Sequence, residues 1–85
     1  MTIKRFGFIK HPALKKQGIK LTPVQIDLLK DIQNSGGEKK IIHQAKSTAR
    51  ALVNRDLVFY DYETKTYVLS GKGSKIVALL IAEGI

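Results

Sequence analysis

Cysteine is absent from this 85-residue chain, and it has only two prolines and two histidines. Without cysteine, neither a disulfide framework nor a cysteine-based zinc site can form. No apolar run reaches the roughly 18 residues that a membrane span needs, and the N-terminus lacks the apolar stretch and cleavage site of a signal peptide. We therefore expect a soluble, cytoplasmic protein that has no membrane partner.

Residues that could support catalysis are also scarce. His11 and His43 lie far apart in the sequence, and no two carboxylates stand in an acid/base arrangement. The segment Gly71-Lys-Gly73 is too short to be a phosphate-binding loop. We therefore predict that the protein is not an enzyme and has no cofactor and no metal site. The length of the chain predicts a single domain.

Acidic residues are few relative to basic ones. Fifteen lysines and arginines against seven aspartates and glutamates leave a formal charge of +8. Residues 1–20 contain six of the basic residues, Lys4 and Arg5 among them, and no acidic residue. Clustered positive charge attracts anions and releases counterions from phosphate backbones. Nucleic acid is therefore the favoured partner, and solubility alone is the simpler reading of the same charge.

The first 20 residues are predicted to form a basic arm or a short strand, followed by a folded domain over residues 21–85. Phe6 and Phe8 share one parity, and Pro12 disfavours helix at the residue before it. We expect the two phenylalanine rings to pack on the core, although an arm could instead stack them on bases.

A helix is predicted to begin after Thr22. The Thr22 hydroxyl can cap free amides, Pro23 suits the first helical position, and Gln25 can complete a capping box. The apolar residues that follow at helical spacing are Val24, Leu28, Leu29 and Ile32. The run from Asn34 to Gly37 is expected to end this helix.

Residues 38–55 have a helical period that leaves three structures open. One long helix would give this pattern, and so would two helices broken near Lys46 and Ser47, with Ser47 or Thr48 as the cap of the second. In a third arrangement, the segment Lys40-Ile-Ile-His43 is a short strand that pairs with a later hairpin. We favour a break, which leaves a helix over residues 47–55.

The polar side of residues 38–55 provides candidate DNA contacts. Its members are Lys40, His43, Gln44, Ser47, Arg50 and Asn54, and the nearby Lys46, Thr48 and Arg55 extend the set. Arginine can donate twice to a guanine edge and asparagine can pair twice with an adenine edge. Arg50 and Asn54 lie one helical turn apart, whereas Lys46, Ser47 and Thr48 suit phosphates. An ordinary solvated helix face would show the same pattern.

A β-hairpin and a last helix are predicted in the remaining residues. Residues 57–62 and 66–70 are rich in aromatic and β-branched residues, and Lys65 between them could contact a phosphate. Ser70 is a natural cap for a helix whose free amides, with Lys72, could hold a phosphate. From Ile76 to Ala82 every residue is apolar, which predicts a homodimer formed through this helix.

The order of these elements resembles a known family. Leu21-Thr22 with Gln25, the run from Thr48 to Val58, a hairpin, and Ser70 with Gly73 are similar to the small winged helix-turn-helix regulators of prokaryotes and their viruses. The resemblance covers residues 21–83 and implies an α+β fold with three to four helices and a two-stranded β-hairpin wing. In that family the helix matching residues 47–55 enters the major groove, and the wing rests on the DNA backbone.

Two departures from the family pattern are present. The region from Glu38 to Gln44 is shorter and more basic than usual, and Asp56 stands where a glycine often ends the recognition helix. We expect sequence-selective binding of double-stranded DNA and a role in transcriptional regulation. The alternative is a winged-helix module that docks on a larger nucleoprotein complex through protein contacts, because folds do not fix functions.

Overall fold

Four helices and three strands are formed by residues 7–41 and 45–85, which are the residues that the computed structural model describes. In chain order they are α1 (Pro12–Lys16), α2 (Pro23–Asn34), β1 (Glu38–Lys39), α3 (Lys46–Asn54), β2 (Val58–Asp61), β3 (Thr66–Leu69) and α4 (Gly71–Ala82). The α+β class is confirmed, and the order of elements is compatible with a winged-helix layout.

Helix α2 begins and ends where the sequence predicts. The Thr22 hydroxyl accepts a hydrogen bond from the Gln25 amide at 3.2 Å, and the Gln25 side chain accepts one from the Thr22 amide at 3.0 Å. After Asn34, Gly36 and Gly37 take positive φ angles of 81° and 91°, which glycine adopts without steric cost. The helix is therefore fixed at both ends by local chemistry.

The predicted apolar side of α2 is wrong at one residue, Val24. The buried residues are Ile26, Leu28, Leu29 and Ile32, whereas Val24 is 44% exposed. At 100° per residue, the buried arc runs from Leu28 through Leu29 to Ile26, and Val24 lies outside it. The core contacts of α2 are therefore centred near Leu29.

Residues 38–55 begin with a strand and end with a helix, so the prediction of a single long helix over this range is wrong. A two-residue strand, β1, ends at Lys39, directly before the strand considered at Lys40 to His43. Helix α3 begins one residue before the predicted range and ends at Asn54. Its N-cap is Ala45, which makes no side-chain cap bond, so the predicted caps at Ser47 and Thr48 are not formed.

The sheet has three antiparallel strands in the order β1-β3-β2, rather than the two of the predicted wing. The hairpin of β2 and β3 is confirmed, with Tyr60 opposite Tyr67 and Val58 opposite Leu69. The additional strand pairs Lys39 with Tyr67 on the other side of β3. A short strand that pairs with the hairpin is the third of the arrangements considered for residues 38–55, but it is formed by Glu38 and Lys39 rather than by the predicted residues.

Helix α4 is connected to the end of α3 through Ser70. The Ser70 hydroxyl accepts from the Gly73 amide at 2.9 Å, which confirms the predicted cap, and it donates to the Asp56 carbonyl at 2.6 Å. Asp56 has a φ of +61°, the left-handed conformation for which glycine is usually chosen. One hydroxyl thus bonds both the turn after α3 and the first turn of α4.

The first 20 residues contain a short helix, α1, whereas an arm or a strand is predicted there. Helix α1 is capped by His11, whose Nδ1 accepts from the Ala13 amide at 3.1 Å, and Leu14 is fully buried. The Ile9 amide donates to the Leu21 carbonyl at 2.7 Å. Residues 7–20 are therefore attached to the domain, and the predicted contacts Lys4 and Arg5 lie outside the described residues.

The core lies between α2, α3, α4 and one face of the sheet. Its fully buried large side chains are Leu14, Leu21, Leu29, Ile32, Leu52, Leu57, Val58, Val77 and Leu80. Within the described part of the chain, no polar or charged residue is buried. The polar residues are therefore available at the surface, where α3 and the hairpin border the same groove.

Candidate nucleic-acid interface

A groove of about 590 Å³ lies between α3 and the sheet. The residues that line it come from the segment after β1, from α3 and from the hairpin: Lys40, Ile41, Lys46, Arg50, Val53, Tyr60, Tyr62, Lys65 and Tyr67. The fold therefore brings together residues that are up to 27 positions apart in the sequence. Four of the predicted DNA contacts are among them.

The groove is strongly basic. Lys40, Lys46, Arg50 and Lys65 are all exposed, and no carboxylate lies among the described residues that line it. Helix α3 itself has no acidic residue. Cations that share a concave surface reinforce one another's field and concentrate anions there. The groove is therefore suited to a polyanion.

The outer face of α3 presents the predicted polar stripe to solvent. Ser47, Arg50 and Asn54 are exposed and Thr48 is half-buried, whereas Ala49 and Leu52 on the other side of the helix are fully buried. Spacings of three and four residues keep the exposed side chains on one face. The described part of the stripe is therefore accessible, and His43 and Gln44 lie outside the described residues.

Three tyrosines form the aromatic wall of the groove. The Tyr60 ring lies 4.8 Å from the Tyr62 ring and 5.0 Å from the Tyr67 ring between centroids, with interplanar angles of 81° and 64°. These are edge-to-face geometries, which aromatic pairs favour. Sequence reasoning missed this cluster. The i, i+2 spacing of Tyr60 and Tyr62 is visible in the sequence, but the pairing with Tyr67 depends on the hairpin register.

Arg55, another predicted DNA contact, interacts with other residues of the protein. Its guanidinium donates to the Lys20 carbonyl and lies 5.8 Å from the centre of the Phe8 ring. A cation over an aromatic face is attracted by the ring quadrupole. Arg55 therefore joins the end of α3 to the N-terminal segment and does not line the groove.

Lys39 and Lys72 lie outside the groove. Lys39 forms an ion pair with Asp31 of α2, so its charge is compensated within the fold. Lys72 is exposed in the first turn of α4 and is not among the groove residues. Among the described residues, Lys40, Lys46, Arg50 and Lys65 form no ion pair, so they carry the uncompensated charge of the groove.

The chain matches no protein-family model, no curated protein and no solved structure. In the residues that the structure describes, no helix is long and apolar enough to cross a membrane. The same residues contain no group of three or more histidine or carboxylate side chains placed to hold a metal ion.

Proposed function

We propose that this protein binds double-stranded DNA with sequence selectivity, through α3 and the hairpin. The observation that carries the proposal is the basic groove between these elements, with four exposed cations and no carboxylate among its described lining residues. Phosphate contacts of this kind position a protein on DNA, and a helix in the major groove reads the bases. The groove and the exposed side of α3 adjoin at Arg50, which supports a single binding surface for both kinds of contact.

Helix α3 has the dimensions and side chains for a reading helix. With its side chains an α-helix is about 10–12 Å wide, close to the roughly 12 Å width of the major groove. Arg50 and Asn54 lie on its exposed face, one turn apart. Arg50 suits a guanine edge and Asn54 an adenine edge. Lys46 at the start of the helix and Lys65 at the hairpin tip are assigned to phosphates on the two sides.

The role we propose for this binding is transcriptional regulation by a homodimer. Helix α4 supports the dimer, because Ile81 is 59% exposed and Ala78 and Ala82 beside it are exposed as well. A contiguous apolar patch at a surface often marks an interaction site. A two-fold dimer would present two copies of α3 to a palindromic site.

The experiment is a binding titration on a duplex that the wild-type chain selects from a random pool, compared with a scrambled duplex. Arg50→Ala and Asn54→Ala should each lose about 1–3 kcal/mol of discrimination between the two duplexes. Lys15→Ala is the matched control for charge, because Lys15 is exposed on α1 and does not line the groove. It should leave discrimination unchanged.

Salt dependence provides a second reading from the same titration. The logarithm of the binding constant should fall linearly with the logarithm of salt concentration, with about 0.9 of slope for each phosphate contact. Lys46→Ala should make that slope shallower by about 0.9, the contribution of one phosphate contact. Absence of binding to any duplex at low salt, or full discrimination in both α3 variants, would overturn the proposal and favour a module that acts through protein contacts.

A further inference from the structure

The duplex reading proposed for α3 does not use the three tyrosines that line the groove, Tyr60, Tyr62 and Tyr67. Tyr60 and Tyr67 are opposite each other on neighbouring strands, on the sheet face that also carries the buried Val58 and Leu69. The core therefore continues outward into an aromatic wall. Beyond this wall lies Tyr62, which is 83% exposed. An aromatic side chain exposed to this degree, beside the cations of the groove, suits a ligand that has both rings and negative charge.

Tyr62 is oriented although it is exposed. Its ring stands at 81° to the Tyr60 ring at a centroid distance of 4.8 Å, and Tyr60 is in turn held by Tyr67. This chain of edge-to-face contacts supports the Tyr62 ring from one direction and leaves most of its surface to solvent. Nucleic-acid bases stack on such aromatic platforms regardless of sequence, because every base has a π-face.

The cations are placed for a backbone that runs past this platform. Lys65 follows Tyr62 within the hairpin turn, while Lys40, Lys46 and Arg50 line the groove from the segment after β1 and from α3. A basic groove that tracks a phosphate backbone beside aromatic platforms is the general arrangement by which proteins bind single strands. Duplex bases are stacked on one another and cannot offer a face to Tyr62.

The size of the groove also favours an unpaired strand. Its volume of about 590 Å³ is within the range of about 300–1,000 Å³ that is usual for small-molecule sites. One or two nucleotides fit such a space, whereas a double helix can only lie across its rim. The interior of the groove therefore suits an unpaired strand better than a duplex.

We propose that the groove holds unpaired nucleotides of the bound DNA, with one base stacked on Tyr62 and the adjoining phosphates on Lys65 and Lys40. The proposal rests on the DNA binding proposed above and specifies the substrate as duplex with a single-stranded segment, such as a junction or an opened site. Arg50, which faces both the groove and the outer face of α3, lies where the two forms meet.

The test compares three DNAs at one salt concentration: a blunt duplex, the same duplex with an unpaired thymidine tail, and the tail alone. The wild-type chain should bind the tailed duplex at least about fivefold more tightly than the blunt one, and Tyr62→Ala should abolish that difference. Tyr62→Phe should retain it. Phe59→Ala is the matched control, because Phe59 is a half-exposed aromatic residue of the same hairpin outside the groove.

Each result separates this inference from the proposed function. Equal binding of blunt and tailed duplex, or a preference that Tyr62→Ala leaves intact, overturns the inference while duplex binding stands. Binding of the tail alone that depends on Tyr62, without binding of blunt duplex, supports the groove assignment and overturns the proposed duplex reading. No binding of any of the three DNAs overturns both.

A free nucleotide carries the same base and phosphate chemistry as a strand. A deoxynucleoside monophosphate at millimolar concentration should not displace the tailed duplex, because it offers one phosphate where the groove has four cations. Displacement at that concentration would overturn the assignment to a strand in favour of a nucleotide ligand.

Discussion

The Leu57 carbonyl occupies the space that a side chain at position 73 would need. A Cβ built on Gly73 would overlap the Leu57 carbonyl oxygen and lie 2.9 Å from the carbonyl carbon. The same carbonyl accepts a hydrogen bond from the Ser70 amide at 3.0 Å, so it is held in this position. The start of α4 can therefore approach the chain after α3 only because residue 73 is glycine.

Gly73→Ala should destabilise the protein strongly, because the obstructing atoms belong to the backbone and cannot rotate away. Overpacking of this kind costs about 1–3 kcal/mol, which lowers the melting temperature of a domain of this size by about 4–8 °C per kcal/mol. Gly71→Ala is the control, because a Cβ at Gly71 meets no atom within 4 Å. Thermal unfolding checks both variants, and equal melting temperatures would contradict the close approach.

Ser70→Ala should destabilise the protein by about 1–3 kcal/mol, since it removes a helix cap and also leaves the Asp56 carbonyl without its hydroxyl donor. Ser74→Ala removes an exposed hydroxyl within α4 and should leave stability unchanged or slightly higher, because alanine favours helix. Denaturant unfolding measures both free energies. A loss in Ser70→Ala no larger than in the control would show that the cap contributes nothing.

Lys65→Gly should separate stability from binding. Lys65 has a φ of +58°, a left-handed conformation that costs ordinary residues about 1–2 kcal/mol. Glycine removes this cost, but it also gives the unfolded chain more conformational entropy, which lowers the free energy of unfolding by about 0.4–1 kcal/mol. We expect a melting temperature that is unchanged or a few degrees higher, together with weaker DNA binding. The salt slope should become shallower by about 0.9.

The control for this prediction is Lys65→Asn. Asparagine tolerates the left-handed conformation and also lacks the positive charge, so it should reproduce the change in salt slope. An unchanged slope in both variants would show that Lys65 makes no phosphate contact.

The homodimer is tested by sedimentation at micromolar concentration. The wild-type chain should sediment as a dimer, and Ile81→Asp should be a folded monomer, because Ile81 is 59% exposed in the single chain and contributes little to its core. Val24→Asp is the control, since Val24 is an exposed apolar residue on α2. A wild-type monomer would contradict this prediction.

The elements that could be predicted from the sequence are those fixed by neighbouring residues. The capping box of Thr22 and Gln25, the cap at Ser70 and the hairpin each depend on residues within a few positions of one another. Strand β1 could not be predicted in place, because two residues form it and their partners are on distant β3. Helix α1 was missed, although Pro12 at its first position is a recognised start signal.

The candidate site was predicted in part for the same reason. Periodicity identifies the exposed face of α3, since Arg50 and Asn54 lie on one helix, whereas the role of Arg55 depends on Lys20 and Phe8, which are distant in sequence. The tyrosine wall requires the register of β2 against β3, which is set by a four-residue turn from Tyr62 to Lys65. Contacts across elements are decided by tertiary packing and leave little trace in local sequence.

If the proposed dimer binds DNA, the shared hydroxyl of Ser70 bears on the spacing of its two half-sites. This hydroxyl bonds both the Asp56 carbonyl after α3 and the Gly73 amide within α4, so it links the end of one helix to the start of the other. In a dimer joined through α4, this link would restrict the movement of the two copies of α3 relative to each other. An operator would then have to place its half-sites in matching helical phase, about 10–10.5 base pairs apart or a multiple of that. Inserting half a turn of DNA between them would turn the second half-site away from its α3.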